Sequence, residues 1–478
     1  MENIVKNLKK VFFIGIGGTG MSALAFFLLE DGKIISGSDK KESRSLLKLK
    51  QKGVNIYIGH SPDNISKDVD AVVYSGAIPS DNCELLSARQ RNIPVLSRAQ
   101  MLSKIIEQKF SIAVAGTHGK TTTTSMISKM LNDGGLDPSF LIGGELNDYG
   151  ANARHGSGPY IVIEADESDG SFLNYKPNIA VITNIDFDHP SFFSDLKMVE
   201  DYFEKFMQGI SEDGKLVVCG DHAVTRSVAE RITDKEKIFY GFGDNNQVQC
   251  KNVILSGFGS YYDLYIEGEK IGEITLNVPG IHNVLNSLAA FSVAKIIGLD
   301  FVSAFDSIAS FSGVRRRFEL KCKDPYIIDD YAHHPEEINA VLNTARSIFK
   351  DKNLVLIFQP HRFSRTEKFL NNFCDILTKA DTLLLFDVFP AGEKTANPYL
   401  GNKLFEECKK RMKDNVFFVS KDSIYELIQE IHGEKNVYLF MGAGDITKIC
   451  DKVASIFLDI KKGERKEISD PNTSELST

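Results

Sequence analysis

At 478 residues, 42% of them apolar and 25% charged, the chain is too long for one core and too apolar to stay unfolded, so about three domains are expected. A net charge of −8 with both signs mixed along the sequence offers no basic surface for a phosphate polymer, which speaks against nucleic acid, while small anions held by backbone N–H groups stay open. Seven scattered cysteines without a C-x-x-C pair argue against zinc and a disulfide framework and suit a reducing cytosol, and no run reaches the roughly 20 apolar residues that cross a bilayer, so membrane insertion is not expected.

The start, MENIVKNLKKVFFIGIGG, passes from basic to apolar like a secretion signal, but glycines interrupt the apolar run and no small-residue cleavage site follows, so it reads as a strand. Short β-rich runs then alternate with longer helical patterns, VFFIGI before MSALAFFLLEDG and KIISGSD before ESRSLLKLKQKG. Further strands are expected at AVVYSGA, SIAVAGT, YIVIEAD, IAVITNID, KLVVCGD, YIIDDYA, LVLIFQP, TLLLFDV and VYLFMGAG, many of them apolar at both alternating positions, as strands covered on both faces are. The fold class is therefore α/β. Strand-and-loop restarts near Val11, Ser111 and Tyr326 set the expected domains at 1–109 (Rossmann-like), 110–312 (P-loop type, mostly parallel sheet) and 313–459 (Rossmann-like). The middle domain carries a β-looking insert from Val248 to Leu276, and residues 460–478 form a polar tail expected to be disordered.

Five strand ends carry candidate chemistry. The loop GIGGTGM puts Gly15, Gly17, Gly18 and Gly20 between a strand and a helix, where a pyrophosphate meets helix N–H groups, and Asp39 ends the next strand. A dinucleotide such as NAD is one reading of that pair, and glycines used only for a tight turn are another. In AGTHGKTTTT, Gly116, Thr117, His118, Gly119, Lys120, Thr121 and Thr122 follow a strand and open a helix. This is a P-loop in outline, with N–H groups to wrap phosphates, a lysine for the β and γ oxygens and a hydroxyl for Mg²⁺, although Val114 stands where the usual pattern has glycine. Glu164 and Asp166 of EADESDGSF end another strand, within reach of a metal held by Thr121, and Asn184, Asp186, Asp188 and His189 of TNIDFDHP approach the same edge. His189 is a candidate ligand of a second metal or a substrate contact, with a turn or helix-capping role as the plain alternative.

Together AGTHGKTT, EADESDGSF, TNIDFDH and HNVLNSLAA resemble the central ATPase domain of the Mur ligases, and the likeness runs from GIGGTGM to MGAGDI. Within the family, GIGGTGMSALA, DDYAHHP and FQPHRFSRT are most similar to the members that add L-alanine to UDP-N-acetylmuramate. The resemblance implies an ATP- and Mg²⁺-dependent, amide-forming enzyme of cytoplasmic peptidoglycan synthesis, acting as monomer or homodimer on those two small molecules through an acyl phosphate. It implies that the first glycine loop, Asp39 and Ser75 hold the UDP-sugar, and that Lys120, Glu164, His189 and Arg317 carry the chemistry, with Thr121, Glu164 and His189 on metal. Asn283, Asn286, Asp330 and Tyr331 are placed near the nucleotide by the same likeness, and His334, Arg362 and Arg365 near the amino acid carboxylate. No lysine matches the carbamylated metal bridge of later Mur ligases; Lys197 is merely nearby. The alternatives are a tripeptide-recycling Mur ligase, an NAD-dependent oxidoreductase, and an ATP-dependent binding module without turnover.

Overall fold

A computed structural model describes residues 4–394 and 397–461 of the chain. The backbone forms two compact units that divide between Arg315 and Arg316. The tail expected from residue 460 lies outside the described residues from 462 onward, and the last helix, Ile446–Lys461, carries the backbone two residues into it. No described helix is long and apolar enough to cross a membrane.

The first unit contains two sheets. The first has five parallel strands, β1 (Lys10–Ile14), β2 (Ile34–Asp39), β3 (Asn55–Ile58), β4 (Ala71–Tyr74) and β5 (Val95–Ser97), in spatial order 3-2-1-4-5. The chain reverses direction across this sheet between β1 and β4, the crevice where doubly wound folds bind ligands. The second sheet has ten strands: β6 (Phe110–Ala115), β7 (Ser139–Leu146), β8 (Ala151–Arg154), β9 (Tyr160–Glu164), β10 (Ile179–Ile182), β11 (Lys215–Cys219), β12 (Glu236–Gly241), β13 (Val248–Ser256), β14 (Gly259–Ile266) and β15 (Glu269–Leu276). Its order is 15-14-13-12-11-10-6-9-7-8, and the insert from Val248 supplies the antiparallel edge β13-β14-β15, as its alternation predicts.

β6 and β10 are buried along nearly their whole length because helices cover both faces of the sheet, which is why both read as unbroken apolar runs. Helix Lys120–Asp133 is itself buried from Thr121 to Leu131 despite its hydroxyl-rich sequence. Thr124, Ser125 and Ser128 return their hydroxyls to the carbonyls of Lys120, Thr121 and Thr124 at 2.7–2.8 Å, so no hydroxyl of theirs is stranded by burial. This helix packs on Ile281–Ile297, whose inward face includes Val284, Leu288 and Phe291.

The second unit has β16 (Glu319–Lys323), β17 (Tyr326–Asp330), β18 (Asn353–Phe358), β19 (Thr382–Phe386), β20 (Val416–Val419) and β21 (Asn436–Met441), in order 16-17-21-18-19-20. Only the β16–β17 pair is antiparallel among the described strands of this sheet.

Candidate active site

The loop after β6 is fixed by steric need and by hydrogen bonds with the segment that follows β10. Gly116 has φ +138°, and a Cβ there would lie 2.0 Å from Thr183 Oγ1; Gly119 is left-handed at φ +82°, with its Cβ position 2.7 Å from Asn286 Oδ1. Both positions therefore exclude larger residues. The N–H of Thr117 bonds the Asn184 carbonyl (3.1 Å), that of His118 bonds Asn184 Oδ1 (2.8 Å), and Thr183 Oγ1 donates to the His118 carbonyl (2.6 Å). Thr117 Oγ1 accepts the Asp186 N–H at 2.8 Å, so TNID acts as the clamp of the loop. Val114 departs from the common P-loop pattern because it is still strand, paired with Glu164 across β6 and β9 and fully buried.

Lys120 opens the helix, and its ammonium meets both Glu167 oxygens (2.9 and 2.8 Å) and the Thr117 carbonyl (3.2 Å). Burial opposes the lysine's charge, but Glu167, Asp166 and Glu164 outweigh it and hold the ammonium protonated. Burial pushes the Glu167 carboxyl up to about 7 against the pull of Lys120, while Asp166, half-buried, is held low by that lysine against its own desolvation. Glu167 is absent from the residues singled out in the sequence. Its signal is the acidic run EADESDG, but past the strand end period two no longer tells which carboxylate turns inward.

The expected metal set of Thr121, Glu164 and His189 falls into two groups. Thr121 Oγ1 donates to Glu164 Oε1 at 3.1 Å, and the other Glu164 oxygen takes the Gly143 N–H at 2.7 Å. Neighbouring ligands of an octahedral Mg²⁺ stand about 3 Å apart, so this oxygen pair fits one edge of such an ion. His189 instead converges with Asp166 and Glu167, their donor atoms lying within 4.8 Å of one another. That second group is acidic enough for a cation, which would compete with Lys120 for Glu167. His189 has φ +55°, and its N–H bonds Asp188 Oδ1 at 2.6 Å. Lys197 is mostly exposed and pairs with Asp201 at 2.5 Å.

Asn286 and Asn283 brace the loop from behind. Asn286 accepts from Thr123 Oγ1 (3.2 Å) and donates to Asn283 Oδ1 (3.0 Å), and Asn283 donates to the Pro279 carbonyl (2.7 Å). Both side chains are buried with these bonds made.

In the first sheet, the N–H groups of Gly15 and Ile16 bond the Ser38 carbonyl (2.8 and 3.1 Å), and that of Gly17 bonds Asp39 Oδ2 (2.8 Å). The loop's own amides are thus spent on β2. The anion-facing donors are those of the first helical turn, Thr19, Gly20 and Met21, with Gly18 as the cap. Asp39, expected at the UDP-sugar, has one oxygen committed to the loop. Ser75 and Ile78, after β4, cover Gly15, whose Cβ position lies 3.2 Å from Ser75 Cβ.

In the second unit, Asp330 accepts the N–H groups of Phe318 and Ala332, both at 2.7 Å, and burial pushes its carboxyl up to about 6 against the pull of Arg317. The Tyr331 ring lies 4.9 Å from the Arg316 guanidinium and 5.2 Å from that of Arg317, whose Nη1 is 3.9 Å from Glu337. His334 caps helix Pro335–Ile348, and its ring meets Phe369 edge-on at 4.8 Å. Arg365 is buried, whereas Arg362, at φ +71°, pairs with Glu393 at 3.5 Å. Glu393, which also takes the N–H and hydroxyl of Ser364 at 3.1 and 2.7 Å, is a second residue that the sequence did not single out.

Three family models match the chain in succession: "Mur ligase family, catalytic domain" over residues 10–110, "Mur ligase middle domain" over 114–294 and "Mur ligase, glutamate ligase domain" over 316–444. UDP-N-acetylmuramate–L-alanine ligases of Dictyoglomus turgidum and Aquifex aeolicus are each 42% identical to it, over 93% and 94% of this chain and 96% and 97% of theirs. The chain belongs to the Mur ligase family.

Among solved structures, UDP-N-acetylmuramate–alanine ligase of Thermotoga maritima aligns with a TM-score of 0.80 at 30% identity, covering 95% of this chain and 99% of that one. A murein peptide ligase of Psychrobacter arcticus aligns at 0.69 and 26%, covering 93% and 98%. In this Mur ligase the two glycine loops thus serve one family architecture, and the oxidoreductase reading of the first loop falls away.

Proposed function

We propose that this Mur ligase joins L-alanine to the lactyl carboxylate of UDP-N-acetylmuramate at the cost of one ATP, giving UDP-N-acetylmuramoyl-L-alanine, ADP and phosphate in the cytoplasm. One observation carries the reading: the chain is 42% identical to an L-alanine ligase over 93% of its length, and among solved structures it aligns better with the alanine ligase of Thermotoga maritima (TM-score 0.80, 30% identity) than with the murein peptide ligase (0.69, 26%). That contrast favours a single amino acid over a free tripeptide as the acceptor.

A carboxylate does not react with an amine until one oxygen becomes a leaving group, and ATP supplies that group by phosphorylating the lactyl carboxylate. The alanine amine then attacks the acyl carbon, and the amide C–N bond forms as the C–O bond to phosphate breaks, the amine gives up a proton and inorganic phosphate leaves. Lys120 leaves Glu167 to hold the nucleotide phosphates, with the first-turn amides of Thr121 and Thr122 beside it. Thr121 and Glu164 would hold Mg²⁺, and His189 with Asp166 and Glu167 would form a second cation site; a cation held there would supply positive charge to offset that of two anionic reactants approaching each other. The 1–109 domain takes the UDP-sugar at Gly15, Gly17, Gly18, Gly20, Asp39 and Ser75, and the 110–312 domain takes ATP with Asn283 and Asn286 behind the loop. In the 313–459 domain, Arg317, Asp330 and Tyr331 are assigned to the nucleotide, and His334, Arg362 and Arg365 to alanine. A guanidinium fork suits a carboxylate, and Arg362 exchanges Glu393 for it.

The test is phosphate release by the purified chain with ATP, Mg²⁺ and UDP-N-acetylmuramate. Release that requires L-alanine supports the reading. Release driven by free tripeptide and not by alanine moves the chain to recycling, and binding of ATP without turnover removes the ligase assignment.

A further inference from the structure

Glu84 lies in the first turn of helix Cys83–Gln90 and is 0% exposed, yet none of the chemistry above uses it. An isolated buried carboxylate is costly, so its partners decide what it is for. Oε2 accepts the Ser38 hydroxyl at 2.6 Å and faces His60 Nδ1 at 2.7 Å, while Oε1 accepts Asn64 Nδ2 at 2.7 Å and the Ser61 N–H at 3.3 Å. One carboxylate therefore gathers the end of β2 and the segment after β3 onto the helix that follows β4.

Ser38 is also the residue whose carbonyl receives the Gly15 and Ile16 amides, and its neighbour Asp39 receives that of Gly17. Every backbone amide from Gly15 to Gly17 thus hangs on two residues at the end of β2, and the side chain of the first is tied to Glu84. We propose that Glu84 is a positioning residue for the UDP-sugar: through Ser38 it sets the height of the first glycine loop and hence the aim of the helix amides that follow. It touches no substrate and acts only through the loop. The inference rests on the reading of that loop as the UDP-sugar site.

The test uses the full chain and compares Glu84→Gln, Ser38→Ala and the double variant by steady-state phosphate release, with thermal melting alongside. Each single change is expected to raise KM for UDP-N-acetylmuramate by about tenfold, with kcat and the KM values for ATP and L-alanine kept within about twofold. The double variant is expected to be little worse than the worse single one, because both break one linkage. Ser38→Ala removes a single hydroxyl and keeps the test open if Glu84→Gln does not fold. Unchanged KM for the UDP-sugar, or KM values for all three substrates rising together as the melting point falls, overturns the inference while leaving the ligase reading intact. Loss of UDP-sugar dependence in the unsubstituted chain overturns both.

Discussion

Glu167 grips Lys120 with both carboxylate oxygens, at 2.9 and 2.8 Å, so the lysine assigned to the nucleotide already has a buried anionic partner. Nucleotide must compete with that partner. Lys120→Ala is expected to lower phosphate release by about a thousandfold, the scale for removing a group that offsets transition-state charge. It also leaves Glu167 buried without its cation, at a cost of about 2 kcal/mol, because a carboxyl pushed up to about 7 partly evades the charge by taking a proton. Adding Glu167→Gln to Lys120→Ala is therefore expected to recover part of the melting temperature and none of the activity. A double variant no more stable than Lys120→Ala argues that the pair does not matter to folding.

Gly116 stands where a side chain has no room. Gly116→Ala places a methyl 2.0 Å from Thr183 Oγ1 and 3.0 Å from the Asn184 backbone, at a φ of +138° that alanine resists. A loss of about 2 kcal/mol or more in urea unfolding is expected, with activity falling as the loop shifts. Thr183→Ala in the same chain removes the closest atom but not the backbone contact, so it should restore less than half of that loss. Full restoration would show that the side-chain clash alone sets the requirement.

How far the sequence reaches is clear from these residues. Gly116, Gly119 and Lys120 were legible because a strand, a glycine loop and a helix in that order have one common use. The antiparallel insert was legible in its period-two alternation. Glu167 was not, because it lies past the end of β9, where the turn and not the spacing decides direction. Glu84 was not legible either: it is one acidic residue in an unremarkable helix start, and only the fold brings Ser38, His60 and Asn64 to it from 46, 24 and 20 residues away. Asp39 was legible as the strand end beside the first glycine loop, while its bond to Gly17 needed the loop's geometry.

Two groups of the second unit, the half-buried His361 and the buried Asp330, make its stability respond to pH in opposite senses. Burial, with Arg365 and Arg362 beside it, pushes the His361 imidazole down to about 4, and its ring lies stacked on Phe389. A folded value below the unfolded one near 6.5 means stability that is full above 6.5 and lost as pH falls through 4, on the order of 2 kcal/mol. Asp330 is raised to about 6, so its contribution is full below about 4 and lost as pH rises through 6. His361→Gln should flatten the fall in urea midpoint between pH 6.5 and 4, and Asp330→Asn should raise the midpoint at pH 7 relative to pH 4. Parallel pH curves for the unsubstituted and variant chains would show that neither group titrates as its burial requires.

Thr121 and Glu164 are 3.1 Å apart, and their assignment to Mg²⁺ separates them from the Asp166, Glu167 and His189 group. If they share one ion, removing either oxygen should raise the Mg²⁺ concentration for half-maximal phosphate release by about tenfold, a typical loss for one ligand or its orienting partner. Thr121→Val is the cleaner change, because it keeps the shape of a residue that is almost fully buried. Saturating Mg²⁺ should then recover most of kcat in Thr121→Val and less in Glu164→Gln, whose carboxylate also fixes the Gly143 amide at 2.7 Å. His189→Asn should change kcat without that shift in Mg²⁺ requirement if its group serves a different cation. Equal shifts for all three variants would instead place Thr121, Glu164 and His189 on a single ion, against the second-metal role the resemblance implies for His189.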